Sequence, residues 1–183
     1  MGPAFLHHEH LVTLYESDDA LVARVAEFLA PAVRDGEMAI VVATAAHRAA
    51  FRAALAAEGA DVERAEASGR FPQLDAAETL STFMVDGAPG PARFREKIGG
   101  LISRAAADGR HVRVYGEMVA LLWDAGDVAS AIALEDLWNA LAVGHEFALL
   151  CAYPTSLFTT GGGEPDFTVM CGQHTAVVST EAP

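Results

Sequence analysis

Two cysteines and several histidines are the residues of this chain with the most distinctive chemistry. Cys171 and His174 are three positions apart, so on a helix they would share one face. They would complete a zinc site if the fold brought them together with Cys151 and His10. The paired CxxC spacing of many zinc sites is missing, and a free cysteine in an apolar strand usually packs as a small hydrophobe. We therefore expect no metal, and we keep a metal or thiol sensor using Cys151, Cys171 and His174 as an alternative.

A second candidate region is the turn in HLVTLYESDDALV, where a strand leads into an amphipathic helix. In many α/β proteins this first turn is rich in glycine and holds a phosphate on backbone amides. Here the turn has no glycine, and three acids surround Ser17, the expected N-cap. A Walker loop also needs a lysine followed by serine or threonine, and the only lysine of the chain is Lys97 in REKIG. The sequence therefore contains no Walker A loop.

Candidate binding residues follow from the strand ends, because ligands of an open parallel sheet sit beyond the carboxyl ends of its strands. Glu117 comes directly after a glycine at the end of an apolar strand, so we expect its carboxyl group to be partly desolvated. Tyrosines at strand ends often only pack their rings and hydrogen-bond to a loop. We predict no catalytic residue and leave the cofactor unknown. The candidate ligand contacts are His10, Tyr15, Glu16, Ser17, Glu117, Cys151, Tyr153 and His174.

The hydrophobic pattern supplies the elements that must position these residues. Apolar runs of strand length alternate with stretches of helical periodicity, which indicates an α/β fold with a mostly parallel sheet and helices on both faces. The predicted strands are 10–16, 38–44, VRVYGEMV and 147–153. The first predicted helix follows the strand 10–16 and ends at about 34. Further helices are predicted over 45–58 and 92–107, from about 117 onward, and through VASAIALEDLWNALA. We also predict a short strand in FPQLDA before a helix at 76–84, loops at 86–91 and 161–166, and a helix or strand in FTVMCGQHTAVV.

Length and composition suit one globular domain, since the chain has 183 residues of which 52% are hydrophobic. We expect an N-terminal extension over 1–9, the domain over 10–178 and a tail over 179–183. In the extension, HHEH places His7 and His8 beside His10, a group that could bind a metal.

Charge and hydropathy exclude some classes of partner. Twenty-five acids against 12 bases give a net charge of −13, which argues against binding to nucleic acid. The sequence shows no apolar run long enough to span a bilayer and no export signal. We therefore expect a cytoplasmic protein that does not bind a membrane.

Five motifs in fixed order resemble the MEDS family, the methanogen/methylotroph sensory domains. They are HLVTLYES, VRVYGEMVALLW, LEDLWNAL, LLCAYP and CGQH, and the resemblance extends from about His10 to Val178. The tail departs from the family pattern, because β-branched residues and a glycine stand where family members read as a clear helix. The matching family residues are His10, Tyr15, Glu117, Trp123, Glu135, Trp138, Cys151, Tyr153, Cys171 and His174.

The resemblance implies a three-layer RecA-like domain whose nucleotide-binding turn has degenerated. It also implies a non-catalytic role in sensing small molecules, including hydrocarbon derivatives, in bacterial or archaeal signalling or transcriptional regulation. Such domains commonly precede an output module, and this chain ends about where the sensory domain does. We therefore expect a separate signalling partner, such as a kinase or an anti-sigma regulator, and a possible homodimer.

Three other functions stay open at the level of the sequence. A residual nucleotide-binding protein or weak ATPase could hold Mg²⁺ on Glu16, Asp18 and Asp19, although the missing lysine argues against phosphoryl transfer. A metal or thiol sensor is the second. The third is an interaction scaffold without any small ligand.

Overall fold

The computed structural model describes residues 9–159 and 164–178. The strands are β1 (His10–Tyr15), β2 (Met38–Ala43), β3 (Gln73–Asp75), β4 (Met84–Val85), β5 (Ala88–Pro89), β6 (Val112–Gly116), β7 (Ala148–Pro154) and β8 (Ala176–Val178). The helices are α1 (Asp18–Asp35), α2 (Ala45–Ala57), α3 (Val62–Ala67), α4 (Ala76–Ser81), α5 (Pro91–Phe94), α6 (Gly100–Ala105), α7 (Met118–Asp124), α8 (Val128–Ala142), α9 (Ser156–Thr159) and α10 (Glu164–Gly172). A π-helical segment, Arg95–Gly99, joins α5 to α6.

The main sheet has the strand order β3-β2-β6-β7-β1-β8, and every pair of neighbours in it is parallel. Helices cover both faces, as the continuous apolar strand β2 requires. Successive residues of β2 show this directly, because Val41 packs with Phe28 and Phe51 of α1 and α2. Its neighbour Val42 packs instead with core residues of α7 and α8 on the opposite face. The protein is therefore a three-layer α/β structure.

The element that follows β1 begins where the sequence predicted. Ser17 caps α1 by accepting a hydrogen bond from the backbone N–H of Ala20, 3.3 Å away. Gly36 ends the helix with φ at 76°, a left-handed conformation that glycine adopts without strain. The acidic turn is thus a well-formed helix N-terminus.

Two segments differ from their predictions. The stretch 86–91, predicted as a loop, contains the turn of the β4–β5 hairpin, where Asp86 and Gly87 both have positive φ. This Asp-Gly pair is a typical hairpin signal that outweighs the proline content around it. In the predicted loop 161–166, residues 164–166 instead begin α10, and 161–163 lie outside the described residues.

The closing stretch FTVMCGQHTAVV is both a helix and a strand. Helix α10 ends at Gly172 and the chain then enters β8, so His174 lies beyond the helix that carries Cys171. These two residues therefore do not share a helical face.

His7 and His8 lie outside the described residues. In the described part of the chain, none of the helices is both long and apolar enough to cross a membrane.

Candidate functional site

Four side chains with metal-ligating or acid–base chemistry meet inside the apolar core, on the face of the sheet that α8 covers. His10 starts β1, Cys151 lies in β7, Glu135 projects from α8, and His174 follows α10. One ligand atom from each lies within 4.8 Å of the others. We call these four residues the buried cluster. Polar groups are rare at such depth unless they are partnered, so the cluster is a feature to explain.

The carboxylate of Glu135 is the centre of the buried cluster. Its Oε2 lies 3.2 Å from Nε2 of His10, and its Oε1 lies 3.3 Å from Nε2 of His174. Tyr153 donates its hydroxyl to Oε1 at 2.6 Å. Burial raises the pKa of Glu135, but the interactions of its carboxylate with the imidazoles of His10 and His174 outweigh this effect and lower the pKa to about 2. Glu135 is therefore ionised in the folded protein.

Cys151 lies against the same carboxylate. Its Sγ is 3.5 Å from Nε2 of His10 and 3.8 Å from Oε2 of Glu135. Burial first, and then the charge of Glu135, raise the pKa of the Cys151 thiol well above its usual range. Without a cation beside it, this cysteine is therefore a neutral thiol.

A second layer of hydrogen bonds orients both imidazoles. Nδ1 of His10 lies 2.8 Å from Oδ1 of Asn139, and Nδ1 of His174 lies 2.7 Å from the backbone carbonyl of Met170. The amide of Asn139 is held in this orientation because its Nδ2 donates to the backbone carbonyl of Gln173 at 2.9 Å. Both Nδ1 atoms therefore face acceptors, and both Nε2 atoms face the buried cluster.

A small pocket leads from the protein surface to His10. Its volume is about 130 Å³, and it lies where β1 and β7 begin, beside the last turns of α8. An engineered cavity of about 150 Å³ accommodates benzene, so the pocket suits a molecule of a few heavy atoms. Its wall is apolar at Trp138, Phe147 and Leu149 and polar at His10, Asn139 and Thr175.

A separate polar group lies at the carboxyl ends of β1, β2 and β6. We call Tyr15, Asp18, His47 and Glu117 the acidic rim. Glu117 accepts hydrogen bonds from the backbone N–H of Thr44 and, at 2.7 Å, from Nδ1 of His47. The other imidazole nitrogen of His47 lies 3.7 Å from Asp18, so His47 connects the first two strand-to-helix turns.

The electrostatics of the acidic rim disfavour an anionic ligand. Burial first, and then the carboxylates of Glu117 and Asp18, raise the pKa of Tyr15 to about 12. Glu16 and Ser17 are exposed beside these carboxylates. Ser17 Oγ already accepts a hydrogen bond from the backbone N–H of Ala20 at the N-terminus of α1. An acidic turn of this kind would repel phosphate, which is why a neutral or cationic ligand suits it better.

The donors around Glu117 lead to a first prediction about stability. Glu117→Gln is expected to lower the free energy of unfolding by about 2 kcal/mol, because the amide's NH₂ group cannot accept from the donors that now hold the carboxylate. The exposed acid Glu16, changed to glutamine at the same edge, is the matched control and should be nearly neutral. Urea denaturation of both variants measures the difference. Equal stabilities would show that the hydrogen bonds of Glu117 contribute nothing.

The structure divides the predicted ligand contacts into two groups. His10, Cys151, Tyr153 and His174 surround Glu135, whereas Tyr15 and Glu117 belong to the acidic rim. Glu16 and Ser17 lie in the exposed turn after β1, next to that rim. Their role in binding stays a prediction. Cys171 is partly buried and does not belong to the buried cluster, so the alternative metal set of Cys151, Cys171 and His174 does not come together as proposed.

Sequence reasoning named Glu135 as a residue that matches the family but not as a site residue, and it missed Asn139. Glu135 is three positions before Trp138 on the apolar side of α8, and both are 1% exposed. An acid inside a helical apolar stripe is a signal that could have found it. Asn139 lies one turn further on the same side of α8.

The order of the sheet and its two helical layers define the RecA-like class of α/β proteins. In agreement, the structure is similar to that of the KaiC-like protein PH0186 from Pyrococcus horikoshii OT3, with a TM-score of 0.59, 14% identity and coverage of 96% of this chain and 73% of that one. At this identity the similarity shows the fold alone.

The family is shown by the sequence itself. The model of the MEDS family, described as MEthanogen/methylotroph, DcmR Sensory domain, matches residues 9–162. The chain therefore belongs to the MEDS family of sensory domains, as the motif order predicted. A comparison with curated proteins found no match.

Proposed function

We propose that this domain is a non-catalytic sensor that binds a small, largely apolar molecule with one polar group in the pocket beside His10. The observation that carries the proposal is the pocket itself, whose lining combines the apolar side chains Trp138, Phe147 and Leu149 with the polar residues Glu9, His10, Asn139, His145 and Thr175. Binding sites for small molecules usually combine an apolar lining with a few polar groups that fix orientation. Membership of a sensory family supports the same reading.

The chemistry of the nearby side chains supports binding rather than catalysis. Cys151 is fully buried, and in the absence of a metal ion its thiol stays protonated because its pKa is raised. A nucleophile needs the thiolate, so this cysteine is a poor one. Glu135 is held by Tyr153 and the two histidines, which leaves it unsuited to act as a base for a ligand in the pocket.

The pocket lies where ligand binding can change the surface of the domain. Thr175 exchanges hydrogen bonds with the backbone of His10 and is the last residue of the passage from α10 into the edge strand β8. A ligand that contacts Asn139 and Thr175 in only one arrangement of this segment would favour that arrangement. We propose that a signalling protein, such as a kinase or an anti-sigma regulator, recognises the change, either directly or through a homodimer.

A variant that fills the pocket tests this function. Ala142 is exposed and lines the pocket on α8, so Ala142→Phe is expected to abolish ligand binding without a large loss of stability. Ala129→Phe, at an exposed position of the first turn of α8, is the matched control. A set of small alcohols, amides and halogenated hydrocarbons, screened by ligand-observed NMR, should yield binders that the wild type and A129F share and A142F loses. Binders that A142F retains, or no binder at all, would contradict the proposed pocket.

A further inference from the structure

The geometry points to a tetrahedral site for a divalent transition metal, zinc by preference, formed by Nε2 of His10, a carboxylate oxygen of Glu135, Sγ of Cys151 and Nε2 of His174. This inference is argued from the buried cluster and not from the proposed ligand pocket, although His10 belongs to both. The four residues come from β1, α8, β7 and the segment after α10, so the metal would join the sheet to the helical layer above it.

The orientation of the two imidazoles is the first argument. A neutral imidazole has one N–H and one lone pair. In His10 and His174 the Nδ1 atoms face the oxygens of Asn139 and Met170, so the N–H belongs there. Both Nε2 atoms then point toward the carboxylate of Glu135, so without a metal a proton must lie between that carboxylate and at least one of them. In the metal-bound form both Nε2 lone pairs are available to the ion. Histidines that bind metals are held in this way, with the outer N–H donated to a carbonyl or carboxylate oxygen.

The second argument is the unpaired nitrogen of His174. Its side chain is 0% exposed, and among the described residues its Nε2 has no hydrogen-bond partner, although Oε1 of Glu135 lies 3.3 Å away. A buried polar atom without a partner is costly. A metal ion bound by this nitrogen would remove that cost.

The distances suit a tetrahedral ion. With ordinary zinc bond lengths, tetrahedral nitrogen and oxygen ligands are separated by about 3.4 Å, and nitrogen and sulfur ligands by about 3.6 Å. His10 Nε2 lies 3.2 Å from Oε2 of Glu135 and 3.5 Å from Sγ of Cys151, and this Sγ lies 3.8 Å from the same oxygen. His174 Nε2 lies 3.3 Å from the other carboxylate oxygen, Oε1. The longest separation in the buried cluster is within 4.8 Å, so on metal binding it would shorten by up to about 1 Å.

Charge balance is the third argument. A divalent ion in the core without counter-charges would be expensive to bury. A divalent ion with the Glu135 carboxylate, the Cys151 thiolate and two neutral imidazoles has no net charge. Binding would form the metal–sulfur bond and release the thiol proton of Cys151 to solvent.

The mixture of donor atoms selects the metal. One sulfur, two imidazole nitrogens and one oxygen suit zinc and other late first-row ions, whereas magnesium and calcium prefer all-oxygen sites. Four protein ligands would also close the coordination shell, as in structural zinc sites.

The test uses the full chain, stripped with a chelator and titrated with Co²⁺. We expect one cobalt ion per chain, visible bands of tetrahedral cobalt and a near-ultraviolet sulfur-to-cobalt charge-transfer band, all displaced by zinc. Cys151→Ser should remove the charge-transfer band, whereas Cys171→Ser, which changes the other cysteine, should keep it. His174→Gln should weaken cobalt binding, and His145→Gln, outside the buried cluster, should not.

A positioning role is tested separately. Asn139→Ala is expected to weaken cobalt affinity about tenfold or more, because Asn139 orients the His10 ring without contacting the metal. If the variants of the buried cluster fail to fold, the wild type alone still decides. The absence of thiolate charge transfer in wild-type protein titrated with Co²⁺, or its persistence in C151S, would overturn the proposal.

Discussion

In chelator-treated protein, Glu135→Ala is expected to lower the free energy of unfolding by about 3–5 kcal/mol, the usual cost of removing one partner from a buried ion pair. The variant would leave His10 and His174 facing each other, with ring centroids 4.2 Å apart and no carboxylate between them. The hydroxyl of Tyr153 would also lose its acceptor. Treatment with chelator ensures that the result reports the side-chain interactions and not a lost metal.

Urea denaturation of the wild type and the variant measures this loss. Glu63→Ala is the control, because the side chain of Glu63 is 88% exposed and its ion pair with Arg52 is long at 4.0 Å. A loss below about 1 kcal/mol for E135A, comparable to that of an exposed pair, would show that the carboxylate does not hold the buried cluster together.

Trp138→Ala is expected to lower the free energy of unfolding by about 3–5 kcal/mol, as for other large aromatic side chains removed from a core. For a chain of this length that corresponds to a fall in melting temperature of roughly 10 °C. Trp138 is 1% exposed, and its ring packs edge-on against Phe94 with centroids 5.1 Å apart. Because Trp138 also forms the wall of the pocket beside His10, its removal would enlarge that pocket.

Thermal denaturation with added indole distinguishes lost packing from a general loss of fold. Indole should raise the melting temperature of W138A by filling the enlarged pocket, and it should leave the wild type unchanged. Trp138→Phe, which keeps a ring against Phe94, should lose much less stability. A variant W138A that melts like the wild type would show that the pocket wall does not stabilise this face of the sheet.

The fold was largely predictable because its signals are local. MAIVVAT predicted a strand buried on both faces, and the strand β2 is buried throughout. Ser17 and the acids around it predicted the start of α1, where the structure places the N-cap. The prediction was wrong for residues 164–166, since the glycine-rich sequence before them suggested that the loop would continue.

The site was less predictable because it depends on which strand ends and helix faces meet. Tyr153 was chosen as a residue of the strand rim, but its hydroxyl points to Glu135 beneath α8. Glu135 itself belongs to an apolar helical face, and a single acid on such a face does not by itself predict a buried polar site.

By itself, the sequence determined the alternation of parallel strands and helices, the absence of a Walker A loop and the acidic character of the first turn. These features follow from residue types and short periods along the chain. Only the tertiary structure decided that Cys151 meets His10, which lies 141 positions earlier, and that His174 closes the group from beyond the end of α10. Such contacts depend on the order of the strands and on the face that each helix buries, and these are properties of the whole packed chain.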